Sequence, residues 1–305
     1  MRQVGGEMGG PGTAGMPAGQ LDPALFHRMA VAHSIWIKGY PLGQRGDFSH
    51  LNLRGCALGA RNLRGADLTG AKLAGLCLEQ TDLAGARLDY ADLSGCLLEQ
   101  VNLAGASLIG AKLTGARIIN FEAGSDRVFG SLTAAIFSHA DLRQVTVRAI
   151  LDGTDFSGAD LSNADFRTCE TSGSLVRFDR TKLQGADLSN AQWSGVSFVE
   201  AELVGTNLNR AILTEARFAG TKLVDLSARS AQFLCCEFRP DDCHGLDFTN
   251  SCFSSCGAPD FFAVLRDRQN RLQANLDGAE FDGTGNRPLG LQPAYQLRTG
   301  GVSYS

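Results

Sequence analysis

The sequence lacks the long apolar segments that membrane proteins and secreted precursors carry. No run of 18 apolar residues occurs, so no transmembrane helix and no membrane partner are expected. Residues 1–20 are rich in glycine and lack the apolar stretch of a secretory signal. Nine cysteines in a chain without such a signal favour reduced thiols and a cytoplasmic location. Signal-independent export, as a secreted effector, stays open as an alternative.

The sequence also has few residues arranged for catalysis. Its five histidines stand outside every metalloprotease or triad-like motif, and the chain has no phosphate-binding loop and no dinucleotide-binding fingerprint. We therefore expect a protein that is not an enzyme, with no catalytic residues and no cofactor.

Potential metal ligands crowd into one segment near residue 240. They are Cys235, Cys236, Cys243, His244, Cys252 and Cys256. A zinc site uses paired cysteines at short spacing, and only Cys252 and Cys256 have it. Cys236 and Cys256 both fall on a small inward position of the repeat described below. We therefore favour core thiols over a metal site.

What the sequence has in abundance is a five-residue period. Leucine, with one phenylalanine and one isoleucine, occupies every fifth position from Phe48 to Ile118. A small residue often stands two positions before, Asp or Asn one position before, and glycine two positions after. The unit reads A-(D/N)-L-x-G, as at residues 66–70. Such a fixed period indicates a repeat architecture.

A period of five fits neither a helix nor a flat strand. Five residues advance about 500° around an α-helix, so successive leucines would spiral around its surface. On a strand, they would alternate between the two faces. Every leucine lies inside only if the chain turns a corner every five residues and the coils stack at the ~4.8 Å spacing of strands.

These repeats resemble the pentapeptide-repeat family over about two thirds of the chain. The resemblance implies an all-β fold, a right-handed four-sided β-helix (a β-solenoid) with 20 residues in each coil. It also implies possible partners. Some family members resemble B-DNA in size and acidic surface, bind DNA gyrase and related topoisomerases, and protect against quinolones or gyrase toxins.

The breaks in the period divide the chain into segments. The expected segments are a disordered glycine-rich N-terminus (1–20), a helical cap (21–45), the repeat β-helix (46–256) with a loop inserted at 121–135, a helical insertion or cap (257–273), final repeat units (274–283) and a tail (284–305). The C-terminal end is thus expected to be irregular or helical.

The expected cap is a short amphipathic helix that plugs the open first coil. It should run from Pro23 to Lys38 with Asp22 as N-cap. The residues predicted to share one face are Leu25, Met29, Ala32 and Trp36.

The charge pattern argues against an extended acidic surface. Residues 46–118 contain seven acidic and seven basic residues, and residues 137–256 contain 16 acidic and 11 basic residues. In the column Lys182, Glu202, Lys222, Asp242 the sign alternates between neighbouring coils. Mimicry of DNA needs rows of like charge, and direct binding of nucleic acid is not expected.

One column of outward positions is apolar instead. It reads Ala57, Cys77, Leu97 and Arg117, and the same side ends at Ile119, where the insertion begins. Either the insertion covers this stripe or a partner docks there. The candidate partner-binding residues are Cys77, Leu97, Ile119, Asp126, Arg127, Val128 and Phe129.

The leading hypothesis is a non-catalytic scaffold that binds an unidentified protein through its faces and the loop at 121–135. The alternatives are a gyrase-binding protein of the DNA-mimic type and a secreted effector. A homodimer through the C-terminal end is a further hypothesis, because an apolar cluster lies there. Its residues are Phe261, Phe262, Val264 and Leu265.

Overall fold

Residues one coil apart lie beside each other in parallel pairs. The computed structural model describes residues 19–120, 130–167, 169, 171, 175–257 and 273–282. Paired positions are 20 residues apart where the repeat is regular, as in Asp47 and Asp67, and 19, 22, 28 or 29 apart where it is interrupted. The predicted right-handed four-sided β-helix is therefore confirmed.

Each coil has four faces, which we number by the large inward residue of the first coil: face one at Phe48, face two at Leu53, face three at Leu58 and face four at Leu63. Most pairs are single bridges, and in the described part of the chain twelve three-residue strands form where the pairing extends. They are β1 (Leu97–Glu99), β2 (Arg117–Ile119), β3 (Thr146–Arg148), β4 (Gln192–Ser194), β5 (Ile212–Thr214), β6 (Arg217–Ala219), β7 (Lys222–Val224), β8 (Gln232–Leu234), β9 (Glu237–Arg239), β10 (Asp242–His244), β11 (Cys252–Ser254) and β12 (Glu280–Asp282).

The strands of one face form one sheet. Face three holds β1, β2 and β3, and face four holds β4, β5, β8, β11 and β12 in spatial sequence. Strands β6 and β9 pair on face one, and β7 and β10 pair on face two. In every regular strand the middle residue points inward, so three residues suffice to expose two side chains and bury one.

The Asp or Asn of the repeat unit stabilises the corner that follows it. Asp67 Oδ1 accepts a hydrogen bond from the backbone N–H of Thr69 at 3.0 Å, and Asn102 Oδ1 accepts one from Ala104 at 3.1 Å. Both residue types readily form such turns with the amide two positions on. This local bond explains why the unit carries Asp or Asn beside each leucine.

In several coils a bulky residue at the corner between faces one and two is followed by glycine in the next coil. Tyr90 and Gly110 both have positive φ, 59° and 63°. The Tyr90 ring lies over Gly110, and a Cβ built there would be 2.7 Å from it. His139 covers Gly158 in the same way. A side chain therefore fits at one corner because the next coil has glycine below it.

The interior changes from leucine to phenylalanine along the helix axis. After Phe48 in the first coil, face one buries Leu68, Leu88 and Leu108. Further along it buries a stack of phenylalanines whose neighbouring ring centroids are 4.6–5.3 Å apart and nearly parallel. The stack comprises Phe137, Phe156, Phe178, Phe198, Phe218 and Phe238. Stacked rings of this kind add to the burial of apolar area.

Near the interruption of the repeat at residue 171, a tryptophan of the neighbouring coil fills the core of face four. Thr171 takes a large-residue position on face four, since its N–H donates to Gln192 O. The neighbouring coil places Trp193 there, 2% exposed, and its indole N–H donates to Cys169 O at 3.0 Å. The small threonine leaves space that the large indole occupies, and the carbonyl satisfies the indole N–H.

The predicted insertion at 121–135 is too long. Residues 121–129 lie outside the described residues, but Ser131 pairs with Asn102, and Leu132 and Ala135 are fully buried. Leu132 therefore occupies a core position of face four. The pentapeptide at 131–135 was not predicted from the sequence. It has neither Asp nor Asn before its leucine and no glycine two positions after it.

The predicted helical cap is present as α1, Pro23–Ile37. The Asp22 carboxylate accepts a hydrogen bond from the N–H of Ala24 at 2.9 Å and caps the helix. Its buried residues are Phe26, Ala30 and His33. The prediction that Leu25, Met29, Ala32 and Trp36 form the face that packs on the first coil was wrong. Leu25 is 38% and Trp36 40% exposed.

The first coil selects this face of the helix. Phe26 packs on Phe48 with ring centroids 5.4 Å apart, and the Gly46 N–H donates to His33 Nδ1 at 2.9 Å. Burial lowers the pKa of His33 from its ordinary value. Because the neutral ring is the one that accepts from Gly46, the folded cap holds His33 uncharged.

Pairing continues at the C-terminal end of the described chain. Gly257, the first residue assigned to the helical insertion, still pairs with Glu237. Asn275 pairs with Asp247, and β12 pairs with β11, which places Phe281 on Phe253 with ring centroids 5.0 Å apart. Residues 273–282 thus continue the stack.

Candidate partner-binding site

The predicted apolar column lies on face three of the first coils. Cys77 pairs with Leu97, and Leu97 pairs with Arg117, so the repeat register brings them side by side. Cys77 is exposed and Leu97 is half-buried. We name Ala57, Cys77 and Leu97 the apolar stripe.

Ile119 lies beside the stripe, in the next column of outward positions. It is half-buried and pairs with Glu99 on one side and Arg148 on the other. The structure therefore places three of the predicted partner-binding residues, Cys77, Leu97 and Ile119, on one face.

The other predicted site residues belong to two segments, one before residue 130 and one after residue 257. Asp126, Arg127, Val128 and Phe129 lie outside the described residues, and so do Phe261, Phe262, Val264 and Leu265. The partner-binding role of the first group and the dimer role of the second stay predictions.

The structure describes the chain up to Asn120 and again from Gly130, and both residues lie close to the stripe. Asn120 is buried, and its Oδ1 accepts a hydrogen bond from the Val101 N–H at 3.1 Å. Gly130 approaches so closely that a Cβ there would lie 2.3 Å from Val101 O. Asn120 and Gly130 therefore both lie beside Val101, four positions after Leu97.

A shallow depression of about 500 Å³ adjoins the stripe. It is lined by Gly55, Cys56, Ala57, Gly59, Ala60, Leu76, Cys77, Glu79 and Gln80. At the position of Gly59, the next two coils carry Glu79 and Glu99. Because Gly59 has no side chain, the surface is recessed there. Leu76 is only half-buried, and at its position in the repeat the two neighbouring coils hold the smaller Cys56 and Cys96.

The rim of the stripe is acidic on one side. Glu79 and Glu99 stand in the column next to it, and in the part of the chain that is described no basic side chain forms an ion pair with either. Beside them Gln80 Nε2 donates to Gln100 Oε1 at 3.0 Å. At the far end of the stripe stands the exposed Arg117. The surface therefore offers apolar contact flanked by free carboxylates.

Sequence reasoning found the stripe but missed the depression. Gly59 has no side chain at an outward position, and Leu76 stands where both neighbouring coils have cysteine. Such departures from a strict repeat are the signal in the sequence that could have located it.

The buried cysteines donate to backbone carbonyls. Cys236 Sγ donates to Leu213 O at 3.2 Å, and Cys256 Sγ donates to Phe233 O at 3.2 Å. Burial raises the pKa of the Cys96 thiol to about 11. All nine cysteines are free, and within the described ranges no group of three His, Cys, Asp or Glu residues could hold a metal ion.

Comparisons with known proteins agree with this architecture. A family model described as pentapeptide repeats matches the sequence in eight copies, over residues 47–85, 81–118, 131–169 and 177–214. No curated protein is detectably similar in sequence. Among the described residues no helix has the length and apolarity needed to cross a bilayer.

Several solved structures are similar. HetL, a pentapeptide repeat protein involved in heterocyst differentiation regulation in the cyanobacterium Nostoc sp. strain PCC 7120, is 21% identical, with 82% of this chain and 92% of HetL covered and a TM-score of 0.35. QnrB1, a plasmid-mediated fluoroquinolone resistance protein, is 20% identical, with 66% and 91% covered and a TM-score of 0.29. A pentapeptide repeat protein from the Arabidopsis thaliana thylakoid lumen is 23% identical, with 46% and 69% covered and a TM-score of 0.16.

Proposed function

Because the chain belongs to the pentapeptide-repeat family, we propose that it is a non-catalytic cytoplasmic scaffold that binds a protein partner through face three of its first coils. The apolar stripe carries the proposal. Cys77 and Leu97 are apolar and accessible at a repeat position that is polar in every later described coil, from Arg117 to Asn275. An accessible apolar strip that the fold itself does not require is typical of an interaction surface.

The chemistry of the surface indicates what the partner presents. An apolar side chain that entered the depression beside Cys77 would bury apolar area, and a basic group beside it would pair with Glu79 or Glu99. We therefore propose an apolar residue flanked by Lys or Arg as the feature that the partner offers to this face.

A Leu97→Asp variant tests the proposal. Leu97 is half-buried on the surface, so we expect the free energy of unfolding to change by no more than about 1 kcal/mol. A charge in the stripe should abolish partner capture, measured by pulldown from the native host.

Ile212→Asp is the matched control. Ile212 is a half-buried aliphatic residue at the same repeat position on face four, in β5. Partner capture should be unchanged by this variant. Loss of the same partner in both variants would refute a specific role of face three, and a much lower melting temperature of Leu97→Asp alone would show that the stripe is covered in the folded chain.

The gyrase-binding alternative stays a prediction, and the charge pattern gives it little support. On face two Lys222 pairs with Glu202 at 2.9 Å, so neighbouring coils neutralise each other. A gyrase supercoiling assay with the purified protein tests this alternative. Inhibition that Leu97→Asp removes and Ile212→Asp retains would identify gyrase as the partner of face three.

The secreted-effector alternative depends on residues 1–20, most of which lie outside the described residues. Deleting them and assaying export tests it. Export that persists without them would contradict their role as a signal.

A further inference from the structure

Basic residues are concentrated at the capped end of the solenoid. Residues 19–65, which we name the basic head, contain two acidic residues, Asp22 and Asp47. They contain six basic residues: Arg28, Lys38, Arg45, Arg54, Arg61 and Arg64. The whole chain has 28 basic and 32 acidic residues, so the remainder holds 22 and 30. The basic head thus carries a net charge of +4, and the rest of the chain carries −8.

Exposed apolar side chains are concentrated in the same place. The described chain exposes eight large hydrophobic residues, and five of them lie between residues 25 and 42. They are Leu25 (38%), Val31 (42%), Trp36 (40%), Tyr40 (61%) and Leu42 (89%). This end of the molecule therefore combines positive charge with apolar surface.

Capping the solenoid does not account for the outer face of α1. A terminal cap buries one face on the repeats and needs a polar outer face for solubility. The inner face of α1 is formed by Phe26, Ala30 and His33. Its outer face carries Leu25 and Val31, with Arg28 as the one Lys, Arg, Asp or Glu residue in the helix. A helix that is apolar on both faces has a second apolar contact to make.

The turn after α1 extends this apolar face outward. The Tyr40 N–H donates to Ile35 O at 3.2 Å, and the Gln44 N–H donates to Ala32 O at 3.2 Å, so residues 38–44 fold back along the helix. At the tip of this turn Leu42 stands almost fully in solvent. An aliphatic side chain held so far out on a short, hydrogen-bonded turn makes no contribution to the core.

Two of the basic side chains lie beside the apolar face. Arg45 Nε donates to Gly65 O at 2.6 Å, and the Trp36 ring lies against the same Gly65. On the other side Arg61 reaches His27 on α1, with Nη2 and Nδ1 3.4 Å apart. Charge and apolar surface therefore form one continuous patch.

We propose that the basic head docks on the surface of an anionic lipid bilayer. Trp and Tyr prefer the bilayer interface, an aliphatic tip such as Leu42 enters the acyl boundary, and Lys and Arg around them bind acidic headgroups. Nucleic acid would match the charge, but aliphatic side chains do not stack on bases. A protein partner would need a concave site for a protruding tip, whereas lipid adapts to it.

The sequence predicted no membrane partner, because that prediction considered spanning helices alone. The patch combines α1, the turn that follows it and the first coil, and the fold brings them together.

Tryptophan fluorescence of the intact chain tests the proposal. The chain has two tryptophans, and Trp193 is 2% exposed, so a change in emission reports on Trp36. We expect a blue shift with vesicles of phosphatidylcholine and phosphatidylglycerol in roughly a 7:3 ratio, and none with phosphatidylcholine alone. Raising NaCl from about 50 to 200 mM should weaken the binding.

Two variants with matched controls locate the contact. Tyr40→Ser with Leu42→Ser should weaken vesicle binding at least about tenfold at unchanged melting temperature, while Tyr90→Ser, which alters an aromatic residue 69% exposed outside the head, should not. Arg28→Gln with Lys38→Gln should weaken binding to the anionic vesicles, and Arg210→Gln should leave it unchanged.

Other results would overturn the proposal. Equal binding to both kinds of vesicle, no binding, or equal weakening by Tyr90→Ser would each refute it. A lower melting temperature of the Tyr40 and Leu42 variant would show that the patch is covered within the chain. A dimer in light scattering that this variant dissociates, without vesicle binding, would assign the patch to a second copy of the chain.

Discussion

The first coils, at residues 46–120, and the later coils, at residues 131–257, share one backbone design and differ in their interior. The first block stacks leucines, such as Leu88 on Leu108. The later block stacks phenylalanines, such as Phe218 on Phe238 with centroids 4.6 Å apart. Both blocks keep the parallel pairing of neighbouring coils. The larger side chains must therefore be accommodated inside each coil, because the spacing between coils is fixed by hydrogen bonds.

Small residues within the same coils compensate for the large ones. The coil with Phe218 and Phe233 has Ala228 on face three, and Ala228 is fully buried. The next coil, with Phe238, Phe248 and Phe253, has Cys243 on face two. In the sequence, Ala228 and Cys243 look like weak members of the repeat. The comparison shows that they make room for the aromatic rings, as close packing of an interior requires.

The largest expected difference between the blocks comes from truncating one stacked residue in each. Phe218→Ala should lower the free energy of unfolding by about 4 kcal/mol, and Leu108→Ala, on the same face, by about 3 kcal/mol. The difference reflects the ring contacts of Phe218, stacked on Phe198 and Phe238 and edge-on to Phe233. Urea unfolding measures both values, and equal losses would mean that ring stacking adds nothing.

A smaller loss of stability is expected when the space that Ala228 leaves for the aromatic rings is filled. Ala228→Leu restores the leucine typical of the first block, and overpacking should cost about 2 kcal/mol. The double variant Ala228→Leu with Phe233→Leu should recover most of this loss, because the leucine then has the space of the ring. A double variant no more stable than Ala228→Leu alone, by thermal unfolding, would contradict compensation within the coil.

The smallest expected effect is electrostatic and depends on pH. Burial alone would raise the pKa of Asp165, but hydrogen bonds from Arg167 and Arg148 hold that pKa below its ordinary value. Since the unfolded pKa is about 3.9, the stabilisation is present above that pH and is lost as the pH falls below it. Asp165→Asn should therefore cost about 1 kcal/mol at pH 7 and progressively less in acid.

Asp82→Asn is the control in the first block. Asn keeps the oxygen that accepts from the backbone, as Asn102 does, and the pair of Asp82 with Arg64 is long, at 3.7 Å, and exposed. Chemical unfolding at pH 7 should show a smaller loss of stability for Asp82→Asn than for Asp165→Asn. Equal losses at both positions would refute the special role of the Asp165 cluster.

The sequence predicted the solenoid well because its period acts locally. Leucine every fifth residue and the Asp or Asn beside it determine the coil through burial and a hydrogen bond two residues away. The repeat at 131–135 was missed because it has the inward leucine without the other signals. The stripe of Cys77 and Leu97 was also predictable, since a regular register converts sequence distance into spatial distance.

The sequence by itself determined the architecture, the identity of the core positions and the column in which the apolar stripe lies, because each follows from repetition. Tertiary structure alone decided which face of α1 is buried, since Phe26 and His33 are selected by contacts with Phe48 and Gly46 of the first coil. It also decided the depression beside Cys77 and the patch on the basic head. These surfaces join residues that are related by packing and not by the period, so no rule of spacing predicts them.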